Sequence, residues 1–101
     1  MKKIINGKMY NTSTATLIGY EVAYDSDWMH RCREELYRKT TGECFLYGEG
    51  GPATRYGCTC SDGSMGAGQH ILPLSESEAR EWVEENLSTA KYIELFGEPA
   101  E

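Results

Sequence analysis

The stretch from residue 48 to residue 69 most constrains how this chain can fold, because it is rich in glycine. Seven of the eleven glycines in the 101 residues lie between positions 48 and 68. Glycine loses more backbone freedom on folding than any other residue, so a segment of this kind is costly to order. The sequence predicts a long glycine-rich loop over residues 48–69, which needs a contact that holds it in place.

Cysteine and histidine side chains offer such a contact. Cys58 and Cys60 lie within the loop, and His30 precedes Cys32 by two residues earlier in the chain. Residues two apart on an extended segment share a face, so each pair aims both of its ligand atoms at one point. Three thiolates and one imidazole form a set that suits tetrahedral structural zinc. The sequence therefore predicts a zinc site made by His30, Cys32, Cys58 and Cys60.

Other cysteine arrangements stay open. With a hairpin turn near residues 41–42, Cys44 is expected opposite Lys39, and Cys32 near Gly51. These two cysteines are then about seven residues apart along the ladder, roughly 23 Å, so they cannot share one ion. We expect Cys44 to be a small packed residue, while His70 competes for the fourth ligand position. Unliganded cysteines, or an exposed redox thiol of low pKa, are the remaining interpretations.

The order of the remaining elements predicts the α+β class, with residues 1–74 mainly β. Asn6-Gly7 between two short apolar segments is typical of a type I′ hairpin turn. Cap residues and a glycine stop predict one or two helical turns over residues 11–19. The other predicted strands cover residues 20–24, 31–38, 43–47 and 70–74, and the second and third of these form a hairpin.

The C-terminal part of the chain predicts two acidic helices over residues 75–97, followed by a tail over residues 98–101. Ser75 and Glu78 have the spacing of a capping box. Apolar residues then recur at helical spacing up to Leu87, with glutamates between them. A composition of 40% hydrophobic and 26% charged residues is that of one globular domain, residues 1–101.

The charge of the chain is divided unevenly between its two ends. Residues 1–60 carry a net charge of +1, and residues 61–101 carry −7. Such an acidic end repels nucleic acid and favours a protein partner with a basic surface. The candidate partner-binding residues are Glu76, Glu81, Glu84 and Glu85. The alternative is a solvated helix face that keeps the chain soluble.

Composition and motifs also exclude several classes of protein. No apolar run reaches the roughly 18 residues of a membrane span. The first residues lack the apolar stretch of a secretory signal, so we expect a cytoplasmic location. No cysteine–histidine pair or pair of acids is singled out for catalysis, and four protein ligands leave a zinc ion no open position. We therefore expect a non-enzymatic protein.

Several motifs together resemble a group of small proteins from phages and mobile elements of Firmicutes. The likeness spans nearly the whole chain and ends in the helix of residues 92–97. The segments that carry it are residues 2–8 (KKIINGK), 36–39 (LYRK), 45–52 (FLYGEGGP) and 72–79 (LPLSESEA). The chain departs from that group at Cys58, Cys60 and both histidines, so the likeness carries no information on zinc.

Some small mobile-element proteins of this kind are type II anti-CRISPRs, which inhibit Cas9 by binding to it. The resemblance implies that this chain is such an inhibitor and that it blocks the loading of target DNA. The acidic helices would then face a channel built for phosphate backbones. The alternative is a small zinc-stabilised interaction module of a phage or host complex that is unrelated to CRISPR.

Overall fold

A four-stranded antiparallel sheet forms the centre of the fold, in a computed structural model that describes residues 1–101. In chain order the elements are β1 Lys2–Ile5, β2 Lys8–Asn11, β3 Thr16–Ala23, β4 Cys32–Arg38, β5 Cys44–Gly50, β6 Cys58–Thr59, β7 Met65–Gly66, β8 Gly68–Leu74, α1 Glu76–Asn86 and α2 Thr89–Phe96. The strand order of the central sheet is β3-β4-β5-β8, while β1-β2 and β6-β7 are separate hairpins. The predicted α+β class is confirmed.

Both predicted hairpins are present. Asn6 and Gly7 have φ angles of 51° and 77°, the left-handed conformation that the type I′ turn between β1 and β2 requires. Strands β4 and β5 form the second hairpin, with a register one residue away from the expected one. Cys44 lies opposite Arg38, and Cys32 lies opposite Gly50.

The predicted helical turns over residues 11–19 are wrong. Backbone bonds from residues 14 and 15 to Asn11 close a turn, and strand β3 begins at Thr16. Leu17 and Ile18 are apolar, and Thr16 and Ile18 are β-branched, so this segment is well suited to a pleated surface. Pairing with β4 stabilises this segment as a strand rather than as a helix.

The glycine-rich region is also more regular than predicted. Gly48 and Gly50 belong to β5, and β8 begins at Gly68. The predicted loop over residues 48–69 is therefore reduced to residues 51–57 and the β6-β7 hairpin. The three strand glycines share one face of the sheet, and their missing side chains leave room for residues 54–58 to lie directly on it.

The sheet packs on both of its faces. On one face Leu36 and Leu46 contact Trp82 and Val83 of α1, which are at most 7% exposed. Successive residues of a strand point to opposite faces, so the neighbouring Phe45 points the other way. There it contacts Tyr10 of the β1-β2 hairpin.

The ends of both helices follow the sequence signals. The Ser75 hydroxyl accepts a bond from the Glu78 backbone N–H at 3.1 Å, and the Glu78 carboxylate accepts one from the Ser75 N–H at 2.9 Å. Ser88 caps α2, which ends at Gly97 with a φ of 85°. Neither helix combines the length and the apolar character that crossing a bilayer requires.

Candidate functional site

Three glutamates of α1 form an exposed surface without internal partners. Glu81, Glu84 and Glu85 point away from the buried Trp82 and Val83, and none of the three makes an ion pair or a side-chain hydrogen bond. We call these three residues the acidic face. No ion pair within the chain neutralises these three carboxylates, so they are available to an external cation.

The fourth predicted residue of this surface differs from the other three. Glu76 is exposed, but its carboxylate accepts a bond from the Arg80 guanidinium at 2.7 Å. Glu78 flanks the acidic face instead, and the Ser75 backbone N–H lowers the pKa of its carboxyl group. Arg55 lines the same groove as Glu78, Glu81 and Glu85.

One carboxylate on the sheet holds both α1 and the glycine-rich region in place. Glu34 of β4 accepts a bond from the Trp82 indole N–H at 3.0 Å and another from the Tyr56 hydroxyl. The Arg55 guanidinium lies 3.7 Å from the same carboxylate. Glu34 is not among the site residues that the sequence predicted. The spacing in the sequence could have indicated it, because Glu34 lies two residues before Leu36 and therefore on the strand face that packs against the helix.

The ring of Tyr56 fills a slot above Gly48. Glu34 and His70 lie opposite Gly48 on the two neighbouring strands, and the Tyr56 ring lies between their side chains. Tyr56 is 0% exposed, and a Cβ at Gly48 would overlap its ring. Tyr56 belongs to the glycine-rich region, and its ring makes the contact that holds this region on the sheet.

We expect stability to fall as the pH rises from about 10 to about 12, because two tyrosine hydroxyls are held protonated. Burial, followed by the bond to Glu35, raises the pKa of Tyr37 to about 12. Burial and the Glu34 bond also raise the pKa of Tyr56. In the unfolded chain tyrosine ionises near pH 10, so above that pH the unfolded state binds fewer protons and gains relative stability.

Urea unfolding midpoints at about pH 9 and about pH 11 measure this loss. The double variant Tyr37→Phe, Tyr56→Phe should lose less stability between the two pH values than the parent chain. Tyr24→Phe changes an exposed tyrosine and is the matched control. A pH dependence that the double variant leaves unchanged would contradict this assignment.

The structure brings two of the four predicted zinc ligands together. A Cβ built on Gly66 would lie 3.2 Å from the Cys60 sulfur and 3.8 Å from the Cys58 sulfur, so both sulfurs lie on the same side of the β6-β7 hairpin. Both residues are exposed, and the Cys58 thiol donates to the Ala67 carbonyl at 3.2 Å.

The other two predicted ligands lie elsewhere. The His30 Nδ1 atom is 2.8 Å from the Asp27 carboxylate. Cys32 lies on β4 opposite Gly50, and Thr54 lies over that glycine, between Cys32 and the segment with Cys58. No group of three or more His, Cys, Asp or Glu side chains is arranged to hold a metal ion. The four-residue zinc site stays a prediction.

The two remaining candidates have packing contacts. Cys44 lies against the core formed with α1, and burial raises the pKa of its thiol. Burial likewise raises the pKa of Cys32. The ring of His70 lies beside that of Tyr56, with 6.4 Å between the centroids.

Comparison with known proteins identifies no match for the chain. It matches no family model, no curated protein and no solved structure.

A second exposed surface lies at the β3-β4 connection. In residues 24–31, which we call the aromatic loop, Tyr24 and Trp28 are 71% and 67% exposed. Tyr24 has a φ of 53°, a conformation that costs energy in a residue other than glycine. Exposed tryptophan and tyrosine are typical of protein interfaces. This loop is not among the predicted sites, although its aromatic pair among polar residues is visible in the sequence.

Proposed function

We propose that this chain is a non-enzymatic inhibitor from a mobile genetic element, and that its acidic face binds a basic surface of Cas9. The observation that carries the proposal is the set of three exposed carboxylates, Glu81, Glu84 and Glu85, without any partner within the chain. The inhibitor acts in the cytoplasm of a bacterial host cell and makes no direct contact with nucleic acid.

Charge complementarity supports a partner of this kind. Cas9 holds its guide–target duplex in a positively charged channel, which recognises the backbone rather than the sequence. Carboxylates presented to such a channel take the place of phosphates and speed up association through long-range attraction. The choice of Cas9 among basic partners depends on the resemblance to mobile-element proteins. In this mechanism, inhibition is stoichiometric and competes with target DNA.

The attachment of α1 to the sheet also supports the proposal. Trp82 and Val83 are buried, and the Trp82 indole bonds to Glu34, so the orientation of the helix is fixed before a partner arrives. A binding surface ordered in advance loses less conformational entropy on association. The carboxylates themselves keep their side-chain freedom until they meet a cation.

Reversing the charge of the acidic face should weaken binding to guide-loaded Cas9. We expect the triple variant Glu81→Lys, Glu84→Lys, Glu85→Lys to lose roughly tenfold to a hundredfold in affinity at about 0.05 M salt. Glu84 and Glu85 lie in the last turn of α1, where lysine suits the helix dipole, and all three glutamates are exposed, so the fold should persist. The parent chain should bind more weakly as salt rises to about 0.5 M, and the variant should show a weaker salt dependence.

The matched control is Glu94→Lys, Glu98→Lys, Glu101→Lys, which makes the same change in net charge on α2 and the tail. Binding and competition with target DNA are measured for the three proteins in parallel. Equal affinity of the parent chain and the α1 variant would exclude the acidic-face mechanism. Failure of the parent chain to co-elute with guide-loaded Cas9 would exclude Cas9 as the partner.

A second candidate function is a small zinc-stabilised interaction module of a phage or host complex that is unrelated to CRISPR. The paired sulfurs of Cys58 and Cys60 favour it, as does the exposed aromatic loop, which offers Trp28 as an anchor. In that case substitution of Trp28 weakens binding to the partner, whereas reversing the acidic face has little effect. Zinc bound to the purified chain, without co-elution with Cas9, would favour this function.

A further inference from the structure

The β6-β7 hairpin presents two thiols to solvent on one side. Cys58 and Cys60 are both exposed, and both sulfurs lie within 4 Å of the position that a Cβ on Gly66 would occupy. A side chain at position 66 would crowd the Cys60 sulfur at 3.2 Å, so the glycine keeps the space in front of the thiols open. Two convergent thiolates are half of a tetrahedral site for a soft d¹⁰ cation.

Neither of the other two thiols is grouped with this pair. Cys32 is half-buried, and Thr54 separates it from the hairpin. Cys44 lies opposite Arg38 at the other end of β5. No third His, Cys, Asp or Glu is grouped with this pair, so a second molecule is a source for the remaining ligands of a structural zinc ion.

We propose that Cys58 and Cys60 form half of a Cys₄ zinc site that a second copy of this chain completes. A two-fold axis through the ion brings the same pair from each copy, so the four sulfurs need no other partner. Each thiol loses its proton on binding, and four protons are therefore released for each zinc ion bound. The proposal is independent of Cas9 binding.

The surroundings of the thiol pair suit the close approach of two copies. Between residues 58 and 66 the only charged side chain is that of Asp62, which bonds to Ser64 within its own turn. Two hairpins therefore meet with little charge repulsion besides that of the thiolates, which the zinc ion neutralises in part. Met65 pairs with Thr59 on the opposite face of the hairpin, so its side chain does not cover the two thiols.

The test is a zinc titration of the full chain under reducing conditions, with the mass in solution measured at each step. We expect one zinc ion per two chains, together with conversion from monomer to dimer. Cobalt(II) in place of zinc should give the intense thiolate-to-metal charge-transfer absorption of four sulfur ligands. Cys58→Ser and Cys60→Ser should each abolish the dimer and this spectrum, whereas Cys44→Ser should retain both.

Other stoichiometries overturn the proposal. One zinc ion per monomer, lost in His30→Ala, would show that one chain holds the ion with the ligands predicted from the sequence. Absence of zinc binding by the folded parent chain would show that the thiols do not form a metal site. Cas9 binding, measured on the same samples with and without zinc, shows separately whether the proposed inhibitor function holds.

Discussion

Gly48→Ala should lower the free energy of unfolding by about 3–5 kcal/mol, the cost of removing a large aromatic side chain from a core. The added methyl group would occupy the space of the Tyr56 ring, which is fully buried above this glycine. The ring then has to leave its slot, and its bond to Glu34 is lost as well. Urea unfolding followed by circular dichroism measures the change.

A double-mutant cycle identifies the cause of this effect. In a Tyr56→Ala background the slot is empty. Adding Gly48→Ala should then lower the free energy of unfolding by less than about 1 kcal/mol. Should Gly48→Ala cost the same in both backgrounds, the overlap with Tyr56 would not be the reason for the loss. Strand propensity alone does not produce such coupling, because it is independent of residue 56.

Glu34→Ala should lower the free energy of unfolding by about 2–4 kcal/mol, because it leaves two donors without an acceptor. The Tyr56 hydroxyl and the Trp82 indole N–H both donate to this carboxylate in the folded chain. Glu34→Gln keeps one acceptor oxygen and should recover part of the loss. Thermal and urea unfolding of the two variants provide the measurement.

Glu21→Ala is the matched control for this position. Glu21 lies directly opposite Glu34 on the neighbouring strand, but it is exposed and has no hydrogen-bond partner. Its removal should change the free energy of unfolding by less than about 0.5 kcal/mol. Equal losses for Glu21→Ala and Glu34→Ala would mean that strand charge, rather than the two donors, determines stability.

The features that the sequence predicted correctly depend on local signals. Asn6 and Gly7 adopt the left-handed conformation that their turn requires, whatever the rest of the chain does. Ser75 and Glu78 similarly fix the start of α1 through bonds to each other. Three of the four glutamates predicted for partner binding are exposed and free of internal pairs, because helical spacing separates them from the core residues.

The features that were missed depend on contacts between distant segments. The slot for Tyr56 needs Gly48 on one strand and its neighbours on two others, and no local pattern encodes that arrangement. The same holds for Thr54, which lies between Cys32 and the hairpin thiols. Spacing along the chain predicted that each pair of ligands shares a face, but the position of the pairs relative to each other depends on the whole sheet.

The shared carboxylate of Glu34 has a consequence for how the molecule opens. Release of α1 from the sheet frees one acceptor oxygen, and release of residues 54–58 frees the other. Departure of either segment exposes the remaining bond to water and weakens it, so the two segments behave as one cooperative unit. Backbone amides of α1 and of residues 54–58 should then exchange with deuterium at similar free energies of opening.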